Sequence, residues 1–436
     1  MTADGATARA TKSNKMKDWN EITHYAGLDW ARDHHDIVII DRQGQIVADV
    51  RIQHSLEGWK EFGCQIQNYP ALAVAIETAQ GAAIDQLLQL ECTVYPINPL
   101  SAKGYRTRKV PSGAKTDRLD AWALADALRL EGQHWKALRP LDPLTQQIQL
   151  LCRDEMGLIC QRTALVNQLQ QALCEYYPAA LEAFDDWTRP YCWDFIVRFP
   201  TPERLVSAGR RRWENFLHTE KIWRPETASK RLEIFKRAQQ FCGSAAVTAA
   251  KSLLAVSLAK LLQALQLQLD QYRQQIESLF KKHPDHDLFG SLPGAAQTLA
   301  PRLLGEIGGD PQRFESTENL QAVAGTAPVS FQSGQIHKVR VRYQCNKVLR
   351  QIVHLWAQCS LLRCTWAEVY YRQKRAEGKS HACALRCLGQ RLLKILWRMM
   401  QTRKPYDADL HARNQKQHGS WVLELMKPTA SVNTTS

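Results

Sequence analysis

Short apolar runs bounded by turn residues dominate the first 140 positions of the chain. From residue 23 to 50 they predict two strands joined by a turn, in which 24–30 leads into 36–41 and then 42–45 turns into 46–50. A continuous apolar run at 71–76 is typical of a strand buried on both faces. The remaining elements are helical patterns at 56–67 and 83–90 and a short strand at 93–97. This order predicts an α/β domain over 23–140.

Beyond residue 140 the apolar positions recur with helical spacing. A stripe runs from Leu144 to Leu169 and is interrupted by the polar residues Glu155 and Arg162. From 254 to 279 apolar residues alternate steps of three and four, which is a heptad pattern. That seam can pair with the first stripe or with a second subunit, and pairing within one chain is the default. The pattern predicts a long helical coiled-coil arm over 141–284.

The C-terminal part predicts a mostly α domain over 285–400, followed by a polar tail over 401–436. Its turn Leu292-Pro293-Gly294 resembles a helix-hairpin-helix element, whose exposed backbone N–H groups bind phosphate. A tight helix–helix corner without a ligand explains the same turn. The stretch 337–342 alternates basic and apolar residues, which predicts a strand with one cationic face, and 345–361 is helical.

The net charge of +14 and the isoelectric point near 9.2 indicate a polyanionic partner, nucleic acid before membrane. No apolar stretch approaches the eighteen or so residues of a membrane span, and residues 1–22 predict a disordered lead-in rather than a secretory signal. The twelve cysteines include no CxxC pair, which favours reduced thiols in a cytoplasmic protein.

Four carboxylates occur in an order that indicates metal chemistry. Asp117 and Asp120 stand three apart at the start of a predicted helix and therefore share a face. Two like charges held that close favour a bound cation, and hard oxygen ligands suit Mg²⁺ or Mn²⁺. Acids in a first helical turn also favour the helix dipole without binding anything. Asp29 interrupts an apolar strand and Glu77 ends the buried one, an arrangement found in RNase H-like or RuvC-like folds that bind two metal ions.

Basic and aromatic residues supply candidate contacts to phosphates and bases. A basic loop is predicted directly before Asp117. Asp33 and Asp36, near Asp29, are also predicted to be loop residues. The segment 184–223 is rich in Trp and Arg, and either nucleic-acid stacking or buried aromatics with a solvated basic rim explains it. The candidate nucleic-acid-binding residues are Lys103, Arg106, Arg108, Lys109, Lys115, Arg118, Gly294, Lys338, Arg340, Arg342 and Arg350.

Several motifs resemble the DEDD transposases encoded by bacterial insertion sequences. In the N-terminal part they are Tyr25–Trp30, Ala75–Thr78, Asn98-Pro99 and Lys115–Ala121. In the C-terminal part they are Leu292-Pro293-Gly294, Gln332-Ser333-Gly334 and Val348-Leu349-Arg350. The resemblance implies a RuvC-like domain whose metal-binding tetrad falls on Asp29, Glu77, Asp117 and Asp120. It also implies a serine nucleophile, assigned to Ser333 with Ser330 in reserve.

The resemblance implies a transposase that cuts and exchanges DNA strands with Mg²⁺ or Mn²⁺, two ions being expected, through a serine–DNA intermediate. In this family a noncoding bridge RNA pairs with target and donor DNA, so the expected partners are DNA, a guide RNA and further copies of the chain, with no membrane. Two alternatives remain: a RuvC-like nuclease of Holliday-junction type, which needs no serine, and a nucleic-acid-binding protein without chemistry.

Overall fold

The computed structural model describes residues 18–79, 81–109 and 115–426, except for the side chain of Lys109. The chain divides into two compact units, one ending at Pro140 and one beginning at Leu141. Most of the predicted lead-in, and the tail from 427 on, lie outside the described residues. The prediction is wrong for 18–22, because Trp19–Glu21 form a 3-10 turn and Ile22 is fully buried.

The first unit contains one five-stranded mixed sheet in the order β3-β2-β1-β4-β5. β1 pairs antiparallel with β2 and parallel with β4, while β3 and β5 form the edges. The chain turns at 31–33, so the first predicted strand is in fact two antiparallel strands. The strands are β1 His24–Trp30, β2 His34–Asp41, β3 Ile46–Gln53, β4 Leu72–Ile76 and β5 Thr93–Pro96.

Helices cover both faces of this sheet, which explains why β4 is apolar at every position. Trp59 and Phe62 of α1 and Leu87 of α2 pack on one face, and Leu124 and Leu128 of α4 pack on the other. The helices of the first unit are α1 Leu56–Gln65, α2 Ala82–Gln89, α3 Pro99–Lys109 and α4 Asp117–Glu131.

The predicted basic loop before Asp117 is wrong over 99–109, because this stretch forms helix α3. Pro99 is its first residue, where a missing N–H costs nothing, and the Asn98 side chain accepts a hydrogen bond from the N–H of Leu100 at 2.9 Å. The Asn-Pro pair was therefore a helix start signal within the sequence.

Gly27 sets how closely α4 approaches β1. A Cβ atom there would lie 1.9 Å from the carbonyl oxygen of Ala121 and 2.6 Å from the backbone nitrogen of Ala125. Neither neighbour is a flexible side chain, so the helix backbone itself occupies the space that a side chain would need. The absence of a side chain at Gly27 thus allows α4 to lie against the middle of β1 at Ala121 and Ala125.

We expect Gly27→Ala to destabilise the protein by about 3 kcal/mol or more, because the added methyl group must push α4 off the sheet. Urea denaturation followed by circular dichroism measures this loss. Gly157→Ala is the matched control, since a Cβ at this exposed helical glycine meets nothing within 4 Å. It should raise stability by up to about 1 kcal/mol through helix propensity. Equal stabilities of the two variants would contradict this account of Gly27.

The second unit is built on two long antiparallel helices, α5 and α10. Their direction follows from their cross-links: Arg162 donates to Gln266 at 2.9 Å, and Lys251 pairs with Glu175 at 2.8 Å. The helices of the unit's first half are α5 Pro143–Tyr176, α6 Pro178–Ala183, α7 Pro190–Arg198, α8 Pro202–Thr219, α9 Pro225–Arg237 and α10 Ala245–Lys282.

The predicted seam of α10 is paired within the chain, but only part of it is buried. Leu258, Leu269 and Ile276 are buried, whereas Leu254 and Leu261 are 45% and 55% exposed. Among the described helices α10 alone is long and apolar enough, by length and composition, to cross a membrane, a test that the core helix of a protein without a membrane span also passes.

One hydrophobic core lies at each end of the α5–α10 pair. The core with α6–α9 contains Trp187, Trp193 and Trp213, all at most 6% exposed, while the arginines at 210–212 are exposed. The Trp/Arg-rich segment therefore has buried aromatics with a solvated basic rim.

Charged side chains separate the two cores. Glu155, which interrupts the predicted apolar stripe, is 2% exposed and pairs with Arg302 at 2.7 Å and with Arg273 at 3.1 Å. Each of these three residues comes from a different helix. Removing one partner of such a buried cluster would leave an uncompensated charge, so Glu155 has a structural role here.

The second core gathers the remaining helices and carries one hairpin. Val422 of the last helix is buried in it, so the predicted polar tail contains folded helices over 408–426. All twelve cysteines lie in the described part and are free thiols. The elements are α11 His286–Gly290, α12 Ala296–Ile307, α13 Thr317–Val323, β6 Val329–Ser333, β7 Ile336–Arg340, α14 Lys347–Ser360, α15 Thr365–Ala376, α16 His381–Thr402, α17 Ala408–Gln417 and α18 Trp421–Met426.

Candidate active site

Strand pairing brings the first two predicted carboxylates side by side. Asp29 lies one residue before the end of β1, and Leu28 pairs with Ile76 of the parallel strand β4. Glu77 directly follows Ile76, so it lies beside Asp29 at the carboxyl end of both strands. That edge is where open α/β sheets hold their functional side chains.

The first turn of α4 brings the other two. The Thr116 hydroxyl accepts a hydrogen bond from the N–H of Leu119 at 3.2 Å, which caps the helix and starts it at Asp117. Asp120 is 7% exposed, whereas Asp117 is exposed. Because α4 packs on β1 at Gly27, its first turn reaches the strand end that carries Asp29.

Charge interactions connect the other three predicted carboxylates to Asp29. The pKa of Asp29 rises to about 6, chiefly because the side chain is partly buried and then because of the negative charges of Asp120, Asp117 and Glu77, in that order. Burial and then Asp120 also raise the pKa of Glu77, while Arg106 and Lys115 lower it. Carboxylates whose charges oppose one another in this way are favoured by a bound cation.

Two arginines neutralise part of the negative charge of these carboxylates. Arg106 of α3 donates to Asp120 at 2.6 Å, and both side chains are mostly buried. Arg51 of β3 forms two 2.9 Å hydrogen bonds with Asp36 and lies 3.9 Å from Asp117. Arginine donors placed among carboxylates can also hold a phosphate brought to the same place.

Two acid or imidazole side chains at the site, Asp36 and His34, escaped the sequence prediction. Asp36 was assigned to a loop, but it lies in β2 directly opposite Asp29 and is 8% exposed. His34 lies on the same face of β2, with its Nε2 atom 3.8 Å from Asp36. Together with Asp117 these residues offer three ligand atoms within 4.8 Å of one another. The stretch 33–36 is polar throughout, so no local apolar pattern marks the start of β2 at His34.

The donor set fits a hard divalent cation. The ligand atoms are mostly carboxylate oxygens, with one imidazole, and such oxygens are the ligands of Mg²⁺ and Mn²⁺. Asp29 lies within charge-interaction range of four further carboxylates, whose combined negative charge such an ion would neutralise.

The other predicted contacts of the first unit lie around the carboxylates. Lys103 and Arg108 are exposed on α3, where Arg108 pairs with Glu131 at 3.6 Å. Lys115 is exposed just before α4, while Arg118 pairs with Asp49. The side chain of Lys109 lies outside the described part of the chain.

In the second unit the candidate Ser333 ends β6, at the turn of the β6–β7 hairpin. All ten residues of the two strands are exposed. Ser333 pairs with Ile336 and Phe331 pairs with Lys338, so alternation places Ser333 on the face that carries Lys338 and Arg340. Ser330 pairs with Val339 on the opposite face. The predicted cationic face exists, but β7 ends at Arg340 rather than 342.

Arg342, Arg350 and Gly294 have local contacts in the second unit. Arg342 donates to the carbonyl of Ala327 at 3.4 Å, and the Arg350 side chain lies against Gly325. A Cβ at Gly294 would lie 2.6 Å from the backbone of Ser360, so this glycine faces the end of α14 at close range. This geometry corresponds to the tight helix–helix corner rather than to an open phosphate-binding turn.

Two family models match the chain. Residues 26–178 match a model described as "Transposase", whose name carries the labels DEDD and IS110, and residues 286–372 match "Transposase IS116/IS110/IS902 family". The first match contains the four predicted carboxylates and the second contains Ser333. Fold and matches together define a transposase, an enzyme that cuts and recombines DNA.

Full-length relatives show the family. The "Mini-circle putative transposase for IS117" of Streptomyces coelicolor is 32% identical over 89% of this chain and 97% of its own length. The insertion element IS900 42 kDa protein of Mycobacterium paratuberculosis is 26% identical over 88% of this chain and 96% of its own. The IS116 44.8 kDa protein of Streptomyces clavuligerus is 27% identical over 87% and 95%. The chain belongs to the IS110/IS116/IS902 family of insertion-sequence transposases.

Proposed function

We propose that this transposase exchanges DNA strands in a reaction that depends on Mg²⁺ and proceeds through a covalent bond between DNA and Ser333. The observation that carries the proposal is that Glu77, Asp117 and Asp120 all act on the charge of Asp29, and Asp120 also acts on that of Glu77, within the first unit. The exposure of Ser333 on a cationic hairpin supports the second half of the proposal.

In the proposed reaction the first unit holds the phosphodiester. The four carboxylates, with Asp36 and His34 beside them, would hold two divalent ions, which supply positive charge against the charge that develops on the phosphate oxygens. Arg106 and Lys115 would orient the phosphate, because both lie close enough to Glu77 to lower the pKa of its carboxyl group. Arg106 must then give up its hydrogen bond to Asp120 and donate to the phosphate instead.

The covalent step balances as a transesterification. The Ser333 Oγ atom bonds to phosphorus, the bond from phosphorus to one strand oxygen breaks, and the released strand leaves as an alcohol after taking up a proton. The hydroxyl of a second strand then attacks the same phosphorus and releases Ser333 with its proton restored. No oxidant and no high-energy cofactor enters this sequence.

The partners follow from the same proposal. DNA is the substrate, and a noncoding guide RNA would select the target by base pairing while the protein contacts backbone and shape. Because two DNA ends must be held at once, we propose that the chain acts as a homo-oligomer.

The experiment incubates the purified protein and labelled element-junction DNA with Mg²⁺ or EDTA, with and without RNA transcribed from the element. We expect a protein–DNA adduct that survives denaturing gels and disappears on proteinase treatment, only with Mg²⁺ and the RNA. An adduct formed equally without the RNA would remove the guide from the proposal. Strand cleavage without any adduct would favour a RuvC-like nuclease, and undiminished cleavage in EDTA would end the metal proposal.

A further inference from the structure

A cavity of about 720 Å³ lies between α15, α16 and the chain from Lys404 to Val422. We call it the C-terminal cleft. It is within the size range of small-molecule and cofactor sites. It belongs to the second unit, and none of its lining residues is among the candidate residues described above.

Aromatic rings form one side of the cleft. Tyr370 and Trp421 stack with their ring centres 5.5 Å apart and their planes inclined by 21°. The Trp366 Nε1–H group donates to the Tyr406 hydroxyl at 3.2 Å, and that hydroxyl lies 3.1 Å from His411 Nδ1. These contacts hold the rings in place before any ligand arrives.

Cations form the rim of the cleft. Arg391, Lys394 and Arg398 follow one another at steps of three and four, so they share one face of α16. All three are exposed, and within the described residues no carboxylate lies within ion-pair distance of them. Elsewhere on the same helices cations are paired, as in Arg372 with Glu368 at 2.6 Å.

The cleft offers almost no negative charge to oppose an anion. Asp407 is the sole carboxylate among its lining residues as described, and its side chain accepts hydrogen bonds from the N–H groups of Asp409 and Leu410. That carboxylate therefore caps α17. Arg391 lies 5.6 Å from the Tyr370 ring centre, and Lys374 lies 5.5 Å and 5.6 Å from those of Tyr370 and Trp421, so cations and aromatic rings already meet here. Aromatic rings beside rim cations that have no carboxylate partner in the described part of the chain match a flat ring attached to a phosphate.

We propose that the C-terminal cleft binds an unpaired nucleotide of a nucleic-acid strand, with the base among the aromatic rings and the backbone phosphates on Arg391, Lys394 and Arg398. A base inside a duplex is covered by its neighbours, so a single strand, a loop or a flipped nucleotide enters while a regular duplex does not. This site goes beyond the proposed strand-exchange chemistry and does not depend on it.

The first test measures binding by the full chain in EDTA, where strand exchange plays no part. The probes are a labelled 12-nucleotide single-stranded DNA, an RNA of the same sequence and the matching DNA duplex, followed by fluorescence anisotropy. We expect Lys394→Glu to weaken binding of a single strand about 10-fold or more and binding of the duplex less than 2-fold. Lys260→Glu, an exposed cation of α10 with the same charge change, should change either affinity less than 2-fold.

The second test places the base directly. DNA and RNA single strands that carry 5-bromouracil are photocrosslinked to the unaltered protein, and the crosslinked peptide is identified by mass spectrometry. We expect crosslinks at Tyr370, Tyr406 or Trp421, lost in Trp421→Ala and retained in Trp421→Phe. The strand that crosslinks more efficiently identifies DNA or RNA as the source of the nucleotide. Crosslinks outside the cleft, or equal losses in Lys394→Glu and Lys260→Glu, would overturn the proposal.

Discussion

Asp29→Asn should lower strand exchange at least about 1,000-fold and at the same time make the metal-free protein more stable at pH 7. The loss of activity follows from removing the carboxylate that couples to all three other members of the tetrad. The gain in stability follows because the ionised Asp29 carboxylate is unfavourable in the folded protein at pH 7, where it is partly buried beside other negative charges.

The sign of the stability effect follows from the pKa of Asp29, which rises from an ordinary 3.8 to about 6 in the folded protein. Between these values the folded protein binds a proton that the unfolded chain has lost. Metal-free stability therefore falls as the pH rises from about 4 to about 6, and it stays lower above pH 6. A shift of this size, discounted for the partial exposure of the side chain, corresponds to on the order of 1 to 2 kcal/mol.

Urea denaturation in EDTA at pH 4 and pH 7, together with strand-exchange assays in Mg²⁺, measures both effects. Asp29→Asn should reduce the pH-dependent difference by the contribution of Asp29, on the order of 1 to 2 kcal/mol, and should lose the stabilisation that added Mg²⁺ gives the unaltered protein. Asp33→Asn is the control, because Asp33 is an exposed acid in the adjoining turn. A variant at Asp29 that retained a tenth of the activity would remove this residue from the proposed machinery.

Much of the first unit could be predicted because each of its elements carries a local signal. The buried strand β4 is an unbroken apolar run in the sequence. Helix α4 begins after the capping residue Thr116, and its first turn contains Asp117 and Asp120. The approximate positions of Asp29, Glu77 and Asp117 on these elements follow from such signals alone.

What the sequence could not provide is the pairing between distant segments. Asp36 becomes part of the site because β2 lies antiparallel to β1, and Arg51 becomes its partner because β3 lies beside β2. Strand register of this kind depends on turns and on sheet order, which no local pattern specifies. Asp36 was assigned to a loop for that reason.

The C-terminal cleft was missed for a different reason. Its segment from 404 to 422 has few apolar residues, and a polar composition suggests a tail. The segment folds because a small number of large side chains, among them Tyr406 and Trp421, contact an existing helical core. Tertiary packing of a few aromatic residues leaves almost no periodic signal.

Ser333→Ala should abolish the denaturant-resistant protein–DNA adduct and lower strand exchange at least about 1,000-fold, whereas Ser330→Ala should lower it less than about 5-fold. The two serines lie three residues apart on β6, so their side chains point to opposite faces of the hairpin. Only the face of Ser333 carries Lys338 and Arg340, which can hold the phosphate during attack.

The same geometry limits how Ser333 can be activated. The stretch 329–340 contains no aspartate or glutamate, and its one histidine, His337, pairs with Gln332 on the face away from Ser333. A group outside the hairpin must therefore accept the serine proton. We expect Lys338→Ala to weaken DNA binding without removing the adduct, since this residue would position phosphate rather than move a proton.

Both serine variants should fold normally, because an exposed hydroxyl can be removed at a cost of about 0.5 kcal/mol or less. Thermal unfolding of the two proteins checks this, and a labelled DNA junction incubated with Mg²⁺ separates the outcomes. Loss of the adduct in Ser330→Ala alone would move the nucleophile to the other face of the hairpin. Full-rate cleavage by Ser333→Ala would mean that the carboxylates cut DNA without a serine, as a junction nuclease does.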